Sequence, residues 1–508
     1  MAESLGYFLM SFTSLKMMAL VAVGTFAGIY VGAIPGLSVT MAVSILISFT
    51  FSWDINHALC LMGGIYCGGV YGGSRSAVLL NIPGAPAAVA TGFDGYPLAK
   101  LGMAGQAIGL STTASVIGGY LGLLALATCA PVISEFSLMF APRDYFLLAI
   151  MGLLLVGSLS GESLAKGIFS GALGVFLSMV GMDTFTGMGR FTFGSGGLMS
   201  GLHFVAIMIG LFGVSEALVQ IHDIHIRPLK QSIERIIPSW RLLFKHTPLI
   251  VRSALIGIWI GALPGAGGDI AALMAYGHAR RSVKKPSRPF GEGAYEGVIA
   301  PETANNAAIG GDNIPMLTLG IPGDAVTAVI IGALYIHGLK PGPMLMVDTP
   351  HLFWFWVGTL TLANTFLLPL GLSGIKLFAK VVELPKGLLL PIIIIISVVG
   401  TYAINNSLSD VYWMLGFGIF GYVLKMYGFQ MGPVILGIIL GPLMEDGYRR
   451  AMMDQHNNLF GFMAQLVVHP VSLALTLGNV FTVLGQTQFW GRLKAKLSSR
   501  AEQAQGAL

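Results

Sequence analysis

The chain has 508 residues, of which 55% are hydrophobic and 10% charged, and its formal net charge is +5. Because soluble domains carry about 25% charged residues, this composition excludes a water-soluble globular protein and predicts an all-α protein with many membrane segments. The charge fits basic cytoplasmic loops and gives no sign of nucleic-acid binding. The three cysteines, Cys60, Cys67 and Cys129, stand in apolar surroundings without CxxC spacing, which argues against disulfide, metal and redox roles.

Apolar segments follow one another along the chain. After a short interfacial helix predicted at 4–15, segments 17–34 and 37–51 are joined by Pro35-Gly36. Neither reaches the roughly 20 residues of a span, which predicts a broken helix or helical hairpin at membrane depth; two spans with a surface turn are the alternative. Further segments lie at 55–73, 105–130, 143–160, 164–182, 201–221, 325–338, 352–381, 388–404, 411–425, 432–443 and 458–485. We expect about 10 to 12 membrane elements in total.

Two basic stretches mark the cytoplasmic side. The connection at 222–248 and the loop at 280–288 are both rich in Lys and Arg, and the positive-inside rule places them in the cytoplasm. Residues 249–279 must then enter and leave the membrane on the cytoplasmic side, with a break at Pro264-Gly265. Arms of about 15 residues reach roughly 22 Å, short of the roughly 30 Å core, so a re-entrant hairpin is predicted, with two full spans as the alternative.

These features divide the chain into four parts. We predict a first half at 1–221, the basic cytoplasmic connection at 222–248, a second half at 249–491 and a soluble C-terminal tail at 492–508. The segment 183–200 is polar enough to be an extramembrane loop.

The two halves share an internal repeat. GIYVGAIPGL at 28–37 matches GIWIGALPGA at 257–266, and SAVLLNIPG at 76–84 matches PMLTLGIPG at 315–323. Since order and spacing are kept, duplication is the simplest explanation. Interrupted helices in corresponding positions are typical of transporters built from inverted repeats, which bind substrate and ions at the repeat interface. We therefore predict two inverted halves that meet at their Pro-Gly breaks.

A Pro-Gly break inside a membrane exposes main-chain groups. The N–H end of a half-helix suits a carboxylate, while the carbonyl end suits Na⁺. Hydroxyls just after the breaks, such as Ser38 and Thr40, can add ligands, and Asp269 can either do the same or N-cap the return arm of the hairpin. Arg75 can face a substrate carboxylate or extend to a lipid phosphate. The candidate substrate-binding residues are Pro35, Gly36, Ser38, Ser74, Arg75, Asn81, Pro264, Gly265, Gly267, Asn305, Asn306, Pro322 and Gly323.

The stretch 298–323, VIAPETANNAAIGGDNIPMLTLGIPG, concentrates polar residues between apolar segments. Unpaired polar groups in hydrocarbon cost several kcal/mol, so this stretch must be wrapped in protein or line a wet cavity. A helix starting at Pro301 places Glu302, Asn305 and Asn306 on one face. The candidate cation-binding residues are Glu302, Asp312, Asn313, Thr318 and Gly320. The alternative is that these side chains cap helices or form a surface turn.

Several of these motifs resemble the TctA family, the large membrane subunit of the tripartite tricarboxylate transporters. The matching stretches are GAIPGL, YGGSRSAVLLNIPGAP, GALPGAGG, EGVIAPETANNAAIGGDNIPMLTLGIPG and HGLKPGPM. The resemblance implies a multi-pass protein of the bacterial inner membrane that imports di- or tricarboxylates such as citrate by cation symport. It also implies a small membrane subunit and a periplasmic substrate-binding protein as partners. Asp312 departs from the family pattern, in which an uncharged residue is expected.

Na⁺ is the expected coupling ion, with protons as the alternative, and no other cofactor is expected. Asn305→Ala or Asn306→Ala is expected to abolish uptake. Elevator-type movement is suggested by analogy with other paired hairpins. A channel or scaffold subunit is a competing hypothesis. An intramembrane enzyme is disfavoured, because the S-x-x-K match in SLSGESLAK at 158–166 has no accompanying triad and there is no HExxH.

Overall fold

A computed structural model describes residues 2–34, 37–159, 164–220, 240–373 and 386–485. Nearly all of these residues are helical. Pro35 and Gly36, most of the basic connection and the predicted C-terminal tail lie outside the described residues.

The first half contains ten helices within its described residues. They are α1 (Ala2–Thr13), α2 (Leu15–Ala33), α3 (Val39–Thr50), α4 (Ile55–Leu80), α5 (Ala88–Leu98), α6 (Ala104–Ser137), α7 (Pro142–Leu159), α8 (Leu164–Ser178), α9 (Phe204–Met208) and α10 (Ser215–Gln220). The π-helical turns Ala99–Met103 and Ile209–Val214 join α5 to α6 and α9 to α10. Strands β1 (Gly181–Met182) and β2 (Gly189–Arg190) pair antiparallel in the loop after α8.

Twelve further helices lie in the described residues from 240 onward. They are α11 (Trp240–Lys245), α12 (Thr247–Gly261), α13 (Gly267–Ser282), α14 (Tyr295–Leu319), α15 (Ala325–Ile336), α16 (Leu345–Asp348), α17 (Pro350–Ser373), α18 (Lys386–Asn405), α19 (Leu408–Met426), α20 (Met431–Asp454), α21 (Leu459–Val468) and α22 (Pro470–Gly485).

Several helices have the length and composition of membrane segments. Leu15–Ala33, Ala88–Ser137 and Pro350–Ser373 are long and apolar enough to span a bilayer individually, and α21 with α22 forms a bent pair at 94°. The arms Val39–Thr50, Thr247–Gly261 and Ala325–Ile336 are apolar but shorter than a span. An all-α membrane protein is therefore what the described residues form.

Helix interruptions fall at the positions matched in the repeat. Helix α12 ends at Gly261 and α13 begins at Gly267, with Gly265 at φ 74° between them. In the other matched pair, Asn81 ends α4 and Gly320 ends α14, at φ 58° and φ 72°. A left-handed residue is a common way to end a helix because it turns the chain away from the axis. Asn81 and Gly320 are equivalent in the repeat, so the two halves share this local backbone geometry.

Glycines allow the helices of the core to touch through their backbones. Gly24, Gly28 and Gly32 of α2 face α4, and a Cβ at any of them would overlap a carbonyl oxygen of that helix. Gly122 of α6 and Gly310 of α14 meet in the same way. Such small-residue contacts are a standard means of helix association in membranes, and they account for part of the 69 glycines in the chain.

Two helices differ from the sequence prediction. Helix α14 begins at Tyr295, not at Pro301, and passes through Pro301 and Pro315 without ending. Proline lacks one helix hydrogen bond, but the helix here is almost wholly buried and its neighbours hold it in place. Helix α20 continues past residue 443 to Asp454, and its polar extension is supported by the i,i+4 ion pair Arg449–Glu445 at 2.8 Å.

The loop between α8 and α9 is fastened to α20 by an ion-pair network. Arg449 donates to both carboxylate oxygens of Asp183, at 3.0 and 2.9 Å. Arg190 forms a bidentate pair with Glu445, at 2.6 and 3.1 Å. Bidentate pairs of this kind fix geometry as well as charge. The loop was predicted to be extramembrane, and these contacts give it a defined position.

Asp183 also accepts hydrogen bonds from its own loop. The backbone N–H of Phe185 lies 3.0 Å from Oδ1 and the Thr186 hydroxyl 2.8 Å from Oδ2. The Phe185 hydrogen bond, followed by those from Thr186 and Arg449, lowers the pKa of Asp183 to about 2, against the opposing effect of burial. Asp183 is therefore ionised throughout the neutral range.

We expect Arg449→Gln to lower the thermal midpoint by a few degrees, because Arg449 holds both Asp183 and Glu445. The folded pKa of Asp183 lies below its ordinary value of 3.8. Its stabilising effect is therefore complete above that value and is lost as the pH falls towards about 2. The difference in thermal midpoint between the variant and the wild type should be constant near neutrality and shrink below about pH 4.

The matched control is Arg450→Gln, since Arg450 is exposed and pairs only loosely with Asp446, at 3.6 Å. Equal midpoints for the two variants would contradict the assignment.

Candidate functional site

A cavity of about 280 Å³ lies where the interruptions of the two halves meet. Its wall contains the first residues of four helices, α3, α13, α15 and α20, and the turn that leads into α5. Cavities near this size are at the small end of the range for small-molecule sites. The lining residues with polar side chains are Ser38, Thr40, Asp269, Asn305, Asp312, Asp324 and Gln430.

The helix N-termini at this cavity differ in how their amides are used. Ser38 caps α3 by accepting from the N–H of Met41 at 3.0 Å, and Asp324 caps α15 in a reciprocal capping box with Thr327. Neither the N-cap of α13, Ala266, nor that of α20, Gln430, provides a side-chain cap. Helix N-termini carry partial positive charge and unpaired N–H groups. The starts of α13 and α20 are therefore the places in the cavity best suited to an anion.

A hydrogen bond between the two halves also forms at this site. The backbone N–H of Ala87, just before α5, donates to Oδ1 of Asp269 on α13 at 3.0 Å. The second-half hairpin thus caps a helix of the first half. The two repeats are joined directly at the cavity wall.

Three carboxyl groups face the cavity. Asp312 is buried, at 2% exposure, whereas Asp324 is half-buried and Asp269 is open to the cavity. The Tyr66 hydroxyl lies 3.2 Å from Oδ2 of Asp312 and 3.3 Å from Oδ2 of Asp324. None of the described residues that line the cavity is Lys, Arg or His. Positive charge at the wall therefore comes from the backbone.

Some of the predicted site residues line the cavity. These are Ser38, Gly265, Gly267, Asn305 and Asp312. Pro264 lies in the break beside Gly265, and Pro322 and Gly323 lie in the break before Asp324, where Gly323 packs on the backbone of Asp312. Pro35 and Gly36 lie outside the described residues.

Three predicted substrate residues of the first half lie elsewhere. Arg75 is buried and donates to the carbonyl oxygens of Leu370 and Gly371 near the end of α17. It therefore binds a helix C-terminus, where a cation is favourable, and not the cavity. Asn81 is exposed at the end of α4. Ser74 donates to Glu302.

Glu302 sits in a separate buried cluster of hydroxyl groups. It accepts hydrogen bonds from Ser74, from Thr91 at 2.5 Å and from Ser115 at 2.7 Å. These donors come from α4, α5 and α6. The cluster joins three first-half helices to α14. Oxygen atoms are the ligands that hard cations prefer, so cation binding by Glu302 stays a prediction.

The other predicted cation ligands have their polar atoms engaged within the protein. Asn313 accepts from the Trp356 indole at 2.8 Å and donates to Ile309 O at 2.7 Å. Thr318 donates to Ile314 O at 2.7 Å, and Gly320 serves as the left-handed cap of α14. Asn306, a predicted substrate residue, donates to Glu302 O at 3.1 Å, whereas its Oδ1 has no hydrogen-bond partner among the described residues. None of these four lines the cavity among the described residues.

Sequence reasoning missed three polar residues: Asp324 and Gln430, which line the cavity, and Tyr66, which contacts Asp312 and Asp324. The D-x-x-T sequence after the second Pro-Gly break is a capping signal that would have placed Asp324 at a helix start. Tyr66 lies inside α4, and Gln430 belongs to neither repeat block, so neither had a local signal. Within the described ranges, no three His, Cys, Asp or Glu side chains are grouped as a metal centre requires.

Comparison with known proteins identifies the chain. It matches the family described as "Tripartite tricarboxylate transporter TctA family" over residues 18–436. The chain belongs to the TctA family. This confirms the resemblance carried by the sequence motifs, and it makes the chain a membrane component of a tripartite transporter.

Two relatives of this TctA protein come from Agrobacterium vitis. One, described as an uncharacterized 52.8 kDa protein in the TAR-I ttuC' 3' region, is 37% identical over 456 residues, which is 89% of each chain. The other, described as an uncharacterized protein in the TAR-II ttuC' 3' region, is 40% identical over 229 residues, or 45% of this chain and 93% of its own. No solved structure matches the chain.

Proposed function

We propose that this TctA protein is the translocating subunit of a secondary transporter that imports di- or tricarboxylates with a coupling cation, and that the cavity between the repeats binds the substrate. The observation that carries the proposal is the meeting of helix N-termini at a cavity of about 280 Å³. A carboxylate bound there would receive backbone N–H groups from α13 and α20. Such a site needs no cationic side chain, in keeping with the composition of the wall.

The proposal includes two partners. A periplasmic binding protein would deliver the acid and a small membrane subunit would complete the complex, as in a tripartite transporter. We further propose elevator-type movement of the hairpin-bearing helices, since the cavity wall combines repeat helices with Phe212 and the start of α20, which lie outside the repeat blocks.

The substrate test starts from the binding protein. A thermal-shift screen of that protein against citrate, other di- and tricarboxylates and aromatic acids identifies the acid, and the complete complex is then reconstituted in liposomes. We expect saturable uptake of that acid, dependent on a cation gradient. Uptake that neither saturates nor needs a gradient would instead indicate the competing channel function.

Na⁺ is the proposed coupling ion, and its test uses the same liposomes. Replacing external sodium with potassium should reduce initial uptake of the identified acid at least about tenfold, equivalent to roughly 1.4 kcal/mol. The control imposes a pH gradient in sodium-free buffer. Unchanged uptake under that condition would refute the sodium assignment and assign coupling to protons.

A further inference from the structure

Two carboxyl groups at the cavity share a single hydroxyl. Tyr66 Oη lies 3.2 Å from Asp312 Oδ2 and 3.3 Å from Asp324 Oδ2, and Tyr66 itself is fully buried. A phenol has one hydrogen to donate. Two ionised carboxylates would have to share this one hydrogen and would repel each other at close range. Positive charge at the pair, as a proton or a metal ion, removes that repulsion.

A second observation concerns the other oxygen of Asp312. Its Oδ1 is buried and has no hydrogen-bond partner, although Asp312 forms part of the cavity wall. A buried ionised oxygen without a partner is strongly unfavourable. The side chain is therefore arranged for a ligand that compensates its charge.

The surroundings add negative charge to this pair. Asp269 of α13 lines the same cavity, and the remaining titratable neighbour on α4 is Cys67, whose thiol contacts Leu360 O at 3.9 Å. None of the three aspartates forms a salt bridge within the described residues. An entering carboxylate would be repelled by these groups unless their charge were reduced.

We propose that Asp312 and Asp324, bridged by Tyr66, bind one monovalent cation, Na⁺ or a proton, and that this ion makes the cavity able to accept a carboxylate. The bound ion reduces the negative charge of the cavity, and the main-chain N–H groups at the starts of α13 and α20 then attract the anion. Binding of the two ligands is then mutually favourable, as cation coupling requires. The effect on the carboxylate rests on the proposed function, whereas cation binding can be measured without any carboxylate.

The test uses the purified full chain in detergent without a carboxylate. One arm measures equilibrium binding of radioactive sodium near neutral pH. The other records the thermal midpoint against pH in sodium-free potassium buffer. Asp312→Asn and Asp324→Asn keep the side-chain shape and remove the charge. The matched control is Asp446→Asn, because the Asp446 side chain is partly exposed and, within the described residues, its ion pair is the one with Arg450 at 3.6 Å.

We expect wild type and Asp446→Asn to share one signal that both cavity variants lose. Saturable sodium binding that weakens at least about tenfold, or roughly 1.4 kcal/mol, in the cavity variants identifies Na⁺. A pH-dependent step in stability that disappears in them identifies a proton. Cavity variants with wild-type sodium affinity and a wild-type pH profile overturn the proposal, as does a wild-type chain with neither signal.

Tyr66→Phe provides a second variant if Asp312→Asn does not fold. It removes the bridging hydroxyl and keeps the ring, so a loss of the same signal supports the proposal and full retention overturns it. A chain that binds the cation but imports no carboxylate after reconstitution contradicts the proposed function alone. The two failures are thereby distinguishable.

Discussion

Replacing Gly310 with alanine should destabilise the protein strongly and reduce the yield of folded chain. A Cβ at Gly310 would overlap the backbone of Gly122, and one at Gly122 would overlap the carbonyl oxygen of Ala307. Because the obstruction is backbone and not a flexible side chain, α6 and α14 must move apart. Overpacking of this kind costs about 1–3 kcal/mol and sometimes more. The measurement is the thermal midpoint by size-exclusion chromatography of heated, detergent-solubilised protein.

Gly277→Ala is the matched control for Gly310→Ala. Gly277 lies in α13, has no atom within 4 Å of an added Cβ and has no positive φ. Alanine there should be neutral or stabilise by up to about 1 kcal/mol through helix propensity. A Gly310→Ala midpoint equal to that of Gly277→Ala would show that the close contact between α6 and α14 is not required.

The repeat was the most informative feature of the sequence. Matching Pro-Gly pairs predicted where helices stop, and the structure places Gly84 and Gly265 at one cavity. This was predictable because a helix break depends on local chemistry: proline lacks an N–H and glycine accepts the turn. The inverted relation of the two halves remains a prediction, since it concerns their orientation in a membrane.

The contacts that individual side chains make were harder to predict than the helix breaks. Arg75 was expected to meet a substrate carboxylate or a lipid, but it binds carbonyl groups of α17, almost 300 residues away in sequence. The polar residues of α14 were assigned to one face, yet the helix is buried on all sides. Asn305 and Asp312 reach the cavity while Asn306 and Asn313 bond within the protein. Periodicity separates two faces of a helix, but it does not distinguish the several neighbours around a buried one.

The charge of the cavity also needed the tertiary structure. In the sequence, Asp269 and Asp324 are single acidic residues at two helix starts, and helix capping is enough to explain an acidic residue at such a position. Asp312 was predicted as a cation ligand from its place in the polar stretch 298–323, without the two other carboxyl groups at the cavity. Their common location creates a site with much more negative charge than any segment suggests. That concentration is the reason a carboxylate and a cation are expected to bind in a linked manner.

Asn305→Ala should reduce uptake of the identified acid at least about tenfold in reconstituted liposomes. Asn305 lines the cavity between α13 and α14 and donates to Val70 O of α4 at 3.2 Å, so its amide is held at the wall by the first half. Its loss removes a polar contact to a charged ligand, worth about 1.5–3 kcal/mol. Initial uptake rates over a range of acid concentrations separate weaker binding from slower transport.

The matched control for Asn305→Ala is Asn405→Ala. Asn405 is exposed at the end of α18 and donates to Asp410 at 2.8 Å, so its removal should leave uptake unchanged. Both variants must elute from size exclusion as wild type does, which excludes misfolding as the cause of any loss. Near-normal uptake by Asn305→Ala would remove this residue from the binding site. It would also indicate that the substrate is bound by the main-chain amides at the starts of α13 and α20, which a side-chain truncation cannot remove.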